Sequence, residues 1–270
     1  MCRLLGWAAA TRCSAADLLD GHLTGFADLS ERHADGWGAA FARGGDPEVV
    51  KEPVAARTSP VFESAMHKPA PAAMVHLRWA TGGLPVLPVN THPFVRDGLA
   101  FAHNGHVQDM QRIESLIDVA VVGEPLGDTD SERYFLAVLT QLRRGARPAE
   151  ALASVATSLS GSPSTSLNCL LVTPEQLVAV CRHDPALLPP HEVPDYFHLG
   201  AERVIGADGA TRAVLIGSSG VLPDAGEPVP ALSSGPLDAS WIAGRRTIPN
   251  GFALIVDRAY LRTELVALDV

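Results

Sequence analysis

The sequence of 270 residues has few cysteines and no long apolar run. Its four cysteines form no CxxC pair and stand near no group of histidines, which argues against a zinc site and a disulfide framework. No stretch approaches the roughly 20 apolar residues that a transmembrane helix needs. The first residues, CRLLGWAAA, lack the pattern of a secretory signal. These absences predict a cytoplasmic protein with reduced thiols and no membrane contact.

Basic charge is also scarce. The chain carries 21 Lys and Arg against 30 Asp and Glu, a net charge of −9, without a basic run. Because binding to a phosphate backbone needs a positive surface, nucleic acid is not an expected partner. Hydrophobic residues make up 47% and charged residues 19%, which predicts a folded globular chain rather than disorder.

Short apolar runs between Gly and Pro clusters predict mainly strands with a few helices. Many runs are apolar on both faces, which is typical of strands inside a layered structure. Strands are expected over 3–8, 36–42, 73–79, 99–103, 167–173, 176–182, 213–217, 251–257 and 262–268. Helices are expected over 14–20, 131–144 and 148–159, with Asp130 placed to cap the second. Two Pro-rich stretches, 187–194 and 222–236, are expected to be surface loops.

Cys2 is the most informative residue that is present. Removal of Met1 would leave a thiol and a free α-amine on one Cα. An α-amine has a pKa of about 7.7 to 8.0, so near neutrality it can take the thiol's proton and activate the sulfur without a histidine. The alternative is that Cys2 is a small apolar residue opening a buried strand.

The segment HLRWATGG places Arg78 at the end of an apolar strand. Thr81 and two glycines follow, where the backbone can turn into a cleft. The planar guanidinium can hold a carboxylate through two parallel hydrogen bonds, which lysine cannot reproduce. An internal salt bridge would explain the same arginine equally well.

Two further segments carry polar residues after apolar ones. In VNTHPF, His92 precedes a proline, which predicts a rigid extended turn and a positioning role. In LAFAHNGHV, an apolar strand is expected to stop at Asn104 and Gly105, a pair typical of turns with exposed amides. Their amide donors can stabilise a developing oxyanion, although most such pairs are ordinary hairpin turns.

The segment GDTDSERYF places Asp128 and Asp130 beside a helix start. Capping of backbone N–H groups explains one aspartate. A second aspartate facing the cleft can instead bind a substrate ammonium group and so complement the hold of Arg78 on a carboxylate. An α-amino acid would then be recognised at both of its charged groups.

In chain order, the blocks MCRLLGW, HADGWGAAF, HLRWAT, NTHPF, AHNG and DTDSE resemble the conserved blocks of the class II glutamine amidotransferases, which are N-terminal nucleophile (Ntn) enzymes. The resemblance covers Cys2 to about residue 140. It implies an α+β fold, a four-layer αββα sandwich with two antiparallel sheets, forming a single glutaminase-type domain over residues 2–270.

The resemblance also implies a mechanism. Cys2 would attack the γ-carboxamide of glutamine, with its own α-amine as proton shuttle and with Asn104 and Gly105 as oxyanion hole. Ammonia or an amine would leave, and water would hydrolyse the γ-glutamyl thioester to release glutamate.

For substrate binding, the resemblance implies that Arg78 holds the α-carboxylate of glutamine and Asp130 its α-ammonium group. Thr81 and His92 would help to build the pocket. No metal and no cofactor are expected.

The small stand-alone members of this class resemble the chain more than the members fused to a synthase, because few residues remain for a second domain. A separate synthase that accepts ammonia is therefore one candidate partner. The chain more distantly resembles the γ-glutamyl hydrolase of ergothioneine biosynthesis, so a larger γ-glutamyl amide is an alternative substrate. A non-catalytic glutamine-binding module and a purely structural subunit are two further alternatives, and the oligomeric state stays open.

Overall fold

Two antiparallel seven-stranded sheets organise the part of the chain that the computed structural model describes, residues 2–19, 21–80, 83–188, 192–222, 230–237, 241 and 244–268. The strands are β1 (Arg3–Cys13), β2 (Trp37–Phe41), β3 (Glu48–Glu52), β4 (Ala70–Leu77), β5 (Phe94–Arg96), β6 (Leu99–Val107), β7 (Ser164–Val172), β8 (Gln176–Cys181), β9 (Leu199–Ile205), β10 (Thr211–Ser218), β11 (Gly235–Pro236), β12 (Gly244–Ile248), β13 (Phe252–Asp257) and β14 (Thr263–Ala267). The helices are α1 (Ala15–Leu19), α2 (Leu23–Asp28), α3 (Phe62–Met66), α4 (Met110–Glu114), α5 (Val119–Val122), α6 (Asp130–Arg143) and α7 (Pro148–Ser158).

The first sheet has the strand order β12-β9-β10-β1-β4-β2-β3, and the second has the order β11-β14-β13-β8-β7-β6-β5. All nine strands predicted from the sequence are present. The sequence did not predict β9 or the four edge strands β3, β5, β11 and β12. Edge strands bury fewer side chains, so they lack the apolar runs that identify interior strands.

An apolar layer lies between the two sheets. It contains Leu4, Met74 and Ile216 of the first sheet and Leu170 and Leu254 of the second. Full burial of such a side chain stabilises the fold by about 1.5–3 kcal/mol. The two sheets therefore pack face to face, as predicted.

Helices cover the two outer faces of this pair of sheets. Helices α6 and α7 pack on the second sheet, where Phe135 and Leu171 share one apolar cluster. Helices α1 to α3 pack on the first sheet, where Phe62 and Trp7 share another. The layers are thus α, β, β and α, which confirms the predicted α+β four-layer sandwich. None of the described helices has the length and apolar character needed to cross a bilayer.

The prediction that the strand before AHNG ends in a turn at Asn104 and Gly105 is wrong. Strand β6 continues to Val107, and Asn104 and Gly105 pair with β7. A Cβ atom at Gly105 would lie 1.9 Å from the carbonyl oxygen of Ser166. Glycine therefore lets β6 approach β7 closely, and pairing between the strands prevails over the local preference for a turn.

The start of α6 also differs from the prediction. The cap is Thr129, whose side chain accepts a hydrogen bond from the N–H of Glu132, and Asp130 is the first residue of the helix. The carboxylate of Asp130 instead accepts a hydrogen bond from the N–H of Val107 at the end of β6. The second predicted loop contains β11, while 189–191 and 223–229 of the two Pro-rich stretches lie outside the described residues.

Candidate active site

Three chain segments meet at one end of β4 in the first sheet. Strands β1 and β2 flank β4 in antiparallel orientation, and both Arg3 and Trp37 pair with Leu77. The residue before β1 is Cys2, and its sulfur accepts a hydrogen bond from the N–H of Trp79 at 3.4 Å. The topology therefore holds the Cys2 thiol beside the residues that follow β4.

The Cys2 side chain is only 8% exposed. Burial raises the pKa of its thiol, while the N–H of Trp79 and the charge of Arg78 lower it and the charge of Asp130 raises it. Both charged groups thus lie close enough to act on the sulfur. Because the thiolate is the reactive form, a buried thiol with a raised pKa needs a base to become a nucleophile.

The guanidinium of Arg78 is buried, with 3% of the residue exposed. It donates hydrogen bonds to the carbonyl oxygens of Asp35 and Pro85, both at 3.3 Å. It forms no ion pair with any described residue, so the salt bridge considered from the sequence is not found there. Burial lowers the pKa of Arg78. The charge of Asp35 acts on this cation without pairing with it directly. A buried cation without a direct ion pair is costly, which makes this guanidinium a candidate for binding an anionic group.

Asp35 holds the segment that contains Arg78. Its carboxylate accepts a hydrogen bond from the N–H of Ala80 at 2.8 Å, and its own N–H donates to the carbonyl oxygen of Arg78 at 3.1 Å. The N–H of Arg78 donates to the carbonyl oxygen of Gly36. Sequence reasoning missed Asp35, although an acidic residue just before a glycine in HADGWG was a usable signal.

Asn104 lies in β6 of the facing sheet and is fully buried. Neither Oδ1 nor Nδ2 has a hydrogen-bond partner among the described residues. Buried polar atoms without partners are rare in native proteins, and each costs about 1–3 kcal/mol. The amide of Asn104, next to Gly105, therefore has hydrogen-bonding capacity that no described residue uses.

Asp130 is fixed beside the end of β6. Its Oδ2 atom accepts a hydrogen bond from the N–H of Val107 at 2.7 Å and lies 3.6 Å from Nδ1 of His106. Burial raises the pKa of this carboxyl, but His106, His103 and the N–H of Val107 lower it by more, so its pKa lies below the usual range. Asp130 is therefore an anion near neutral pH.

Asp128, the other aspartate of this segment, has a structural role. Its N–H donates to Oδ1 of Asn90 at 2.9 Å, and its carboxylate accepts from Nδ2 of Asn90 at 3.2 Å. This reciprocal pair joins the loop before α6 to the loop before β5.

His92 packs against a second buried histidine. Its ring stacks on the ring of His76 with centroids 4.0 Å apart, and its edge faces Phe94. Neither ring nitrogen of His92 has a partner among the described residues. Burial lowers the pKa of both histidines, so both are neutral. His92 is therefore placed to position its neighbours rather than to carry a charge.

A third buried histidine joins the two sheets. Nε2 of His76 in β4 donates to the carbonyl oxygen of His103 in β6 at 3.2 Å. Nε2 of His103 in turn donates to the carbonyl oxygen of Ser166, which leaves its Nδ1 to accept from the hydroxyl of Ser131. Sequence reasoning did not identify His76 or His103, because their contacts arise only from the pairing of the sheets.

Thr81, predicted to help build the pocket, lies outside the described residues. Within the part of the chain that the structure describes, no group of three or more His, Cys, Asp and Glu side chains is arranged to hold a metal ion.

A family model described as glutamine amidotransferases class-II matches residues 1–196. The chain belongs to the class II glutamine amidotransferases. Membership of this family supports an amidohydrolase enzyme. Cys2, Arg78, Asn104 and Asp130 all fall within the matched residues.

Two curated relatives of this amidotransferase chain show how far the likeness extends. An uncharacterised protein of Methanocaldococcus jannaschii is 33% identical over 150 residues, covering 53% of this chain and 39% of that protein. The gamma-glutamyl-hercynylcysteine sulfoxide hydrolase of Mycobacterium tuberculosis is 30% identical over 156 residues, covering 48% of this chain and 65% of that protein. The chain thus spans less than two thirds of the length of either relative.

The likeness to a solved structure covers nearly the whole chain. The glutamine aminotransferase class-II domain protein of Silicibacter pomeroyi matches with a TM-score of 0.63 over 98% of each chain, at 15% identity. At that identity the match shows a shared fold, which agrees with the layers described above.

Proposed function

We propose that this chain hydrolyses the γ-carboxamide of glutamine, or of a γ-glutamyl amide, through a thioester on Cys2, and that residues 2–270 form one glutaminase-type domain. The unpartnered, fully buried amide of Asn104 carries the proposal. A fold retains such a group at a cost in stability. Asn104 lies in β6, the strand whose end holds Asp130, and Asp130 is one of the two charged groups that act on the Cys2 thiol.

The reaction begins after removal of Met1. The α-amine of Cys2 takes the proton of the thiol, and the sulfur attacks the γ-carbonyl carbon. The oxyanion that forms is stabilised by the side-chain amide of Asn104 and the N–H of Gly105. The α-ammonium group of Cys2 gives its proton to the leaving nitrogen of the substrate, so that ammonia or an amine departs. Water, deprotonated by the same amine, then hydrolyses the thioester and releases glutamate.

Two opposite charges bind the amino-acid part of the substrate. The guanidinium of Arg78 pairs with the α-carboxylate, and the carboxylate of Asp130 pairs with the α-ammonium group. The lack of an ion pair for Arg78 among the described residues and the lowered pKa of Asp130 support these roles. His92 and Thr81 would support the pocket.

A larger γ-glutamyl amide is the second candidate substrate. The Mycobacterium tuberculosis relative is named for a γ-glutamyl compound with a large leaving group. Trp79, which touches the Cys2 sulfur through its backbone, is 38% exposed and offers an aromatic surface beside the thiol. If ammonia is the leaving group instead, a separate synthase would be its acceptor.

Steady-state release of glutamate from glutamine and from a series of γ-glutamyl amides tests both candidates. Cys2→Ala should reduce release to the uncatalysed rate, whereas Cys13→Ala, at the other end of β1, should keep it. The amide with the highest kcat/KM identifies the leaving group. Equal rates in the wild type and Cys2→Ala would remove the proposed nucleophile, and binding of glutamine without turnover would favour a binding module.

A further inference from the structure

His33 is a buried histidine at the candidate site to which the mechanism above gives no role. It is 2% exposed, and its Nδ1 atom has no hydrogen-bond partner among the described residues. Its ring lies edge-on to the ring of Trp79, with centroids 5.9 Å apart. Trp79 is also the residue whose backbone N–H contacts the sulfur of Cys2.

The topology places His33 and Cys2 on opposite sides of the chain that follows β4. Cys2 precedes β1 and His33 precedes β2, and both strands flank β4. Neighbouring strands lie about 4.8 Å apart, so β1 and β2, one on each side of β4, lie about 10 Å apart. Trp79, which follows β4, contacts both Cys2 and His33. The proximity of Arg3, which acts electrostatically on the ring of His33, agrees with this arrangement.

The groups that act on His33 are positive or neutral. They are Arg3 from β1, the chain's N-terminus, His76 from β4 and Arg32 from the same segment as His33. Burial, together with these groups, lowers the pKa of His33 to about 2. The ring is therefore neutral at physiological pH and cannot serve as the acid or base. A neutral imidazole always keeps one nitrogen that accepts a hydrogen bond.

We propose that His33 is a positioning residue for the α-amine of Cys2. Once Met1 is removed, a ring nitrogen of His33 accepts an N–H of that amine, which turns the lone pair of the amine toward the thiol. The proposal rests on the proposed function for the removal of Met1 and for the amine as base. It adds a residue that makes this base effective.

The hydrogen bond has a measurable consequence for the thiol. When the proton moves from sulfur to nitrogen, an acceptor stabilises the ammonium that forms, because hydrogen bonds to charged groups are stronger than neutral ones. Loss of the acceptor therefore reduces the fraction of Cys2 thiolate at neutral pH. The pH at which Cys2 becomes reactive should rise.

The test is the rate of Cys2 alkylation by iodoacetamide against pH, followed by mass spectrometry of the N-terminal peptide in protein whose intact mass shows that Met1 is absent. His33→Phe keeps a buried ring but has no acceptor, and His33→Gln keeps an acceptor. We expect His33→Phe to react about tenfold more slowly at pH 7 and to show its inflection about one pH unit higher. His33→Gln should remain close to the wild type.

A profile for His33→Phe equal to that of the wild type would overturn the proposal. So would an equal loss in His33→Phe and His33→Gln, because the acceptor would then not be what matters. Should His33→Phe fail to fold, nitrogen NMR of the wild-type His33 ring decides. One ring nitrogen should gain a hydrogen bond when Met1 is removed, and an unchanged spectrum would contradict the proposal.

Alkylation requires no substrate, so this inference and the proposed function fail separately. Slower alkylation in His33→Phe without turnover of any γ-glutamyl amide would retain the inference and remove the function. Turnover that depends on Cys2, with identical alkylation profiles in the wild type and His33→Phe, would retain the proposed function and remove the inference.

Discussion

Two asparagines face each other across β6 and β7, and they differ in what their amides contact. Asn104 and Asn168 are register partners, and both are fully buried. The Nδ2 of Asn168 donates to the carbonyl oxygen of Phe197 at 2.6 Å, and its Oδ1 accepts from the N–H of Arg182 at 2.8 Å. The amide of Asn104 has no such partner among the described residues.

The difference separates the structural role of Asn168 from the ligand-binding role proposed for Asn104. Residue type, register and burial are the same at both positions, so none of them identifies the role. Asn168 contributes hydrogen bonds that hold the chain around Phe197 in place. Asn104 keeps its amide unsatisfied, which costs stability unless a ligand supplies the partner. The buried hydrogen bonds thus distinguish Asn104 from Asn168 and support the role proposed for Asn104.

Asn104→Ala gives the largest expected effect. Loss of one donor to an oxyanion typically lowers kcat by about a hundredfold to a thousandfold. Its free energy of unfolding should stay near that of the wild type, because the side chain has no partner to lose among the described residues. Turnover of the preferred γ-glutamyl amide and urea unfolding measure the two quantities.

Asn168→Ala is the matched control for that experiment. It leaves the backbone groups of Phe197 and Arg182 unpaired, so we expect a loss of about 1–3 kcal/mol in the free energy of unfolding. Its kcat should fall far less than that of Asn104→Ala. If Asn104→Ala were as destabilised as Asn168→Ala and kept its kcat, the distinction between the two asparagines would be lost.

The same distinction applies to two arginines. Arg78→Lys keeps the charge but loses the planar pair of donors that fits a carboxylate, so KM should rise on the order of tenfold to a hundredfold. Arg96 also donates to backbone carbonyls, those of Val122 and Glu124, but it lies in the edge strand β5 of the second sheet and outside the site described above. Arg96→Lys should leave KM unchanged, and an unchanged KM in Arg78→Lys would contradict carboxylate binding.

A smaller expected effect is the dependence of the free energy of unfolding on pH. Burial lowers the pKa values of His33, His76, His92 and His103, so these rings stay neutral in the folded protein. Below an unfolded pKa of about 6.5, only the unfolded chain takes up these protons, and stability falls as pH decreases by up to about 1.4 kcal/mol per pH unit for each histidine. His106 acts in the opposite direction, because hydrogen bonding to Asp130 raises its pKa.

Thermal unfolding between pH 8 and pH 5 measures this dependence. His92→Phe removes one of the neutral rings and should show a shallower loss of stability below pH 6.5 than the wild type. Equal slopes in the two proteins would show that His92 accepts a proton in the folded state.

Apolar runs in the sequence predict the interior of the fold well. Segments such as 167–173 and 213–217 are buried on both faces, and each forms an interior strand. The edge strands were missed because β3 (EVVKE) and β12 (GRRTI) carry charged side chains and leave much of their surface exposed. For an edge strand, pairing with its neighbour decides the structure, and that information is not local.

The residues of the candidate site divide in the same way, into those that the local sequence predicts and those that depend on pairing between distant segments. Cys2 was predicted from its position directly after Met1, and Arg78 and Asn104 were predicted because each of these polar residues borders or interrupts an apolar run. Asp35 and His33 were missed because their contacts depend on β2 lying beside β4. The turn expected at Asn104 is a local preference, and pairing with β7 overrides it.

The most direct test of the account is the reaction of the protein with diazo-oxo-norleucine, an electrophilic mimic of glutamine. We predict one adduct, on the Cys2 of a chain without Met1, with its formation slowed by glutamine or by the preferred γ-glutamyl amide. An adduct on another residue would contradict the account, as would full turnover by protein that retains Met1.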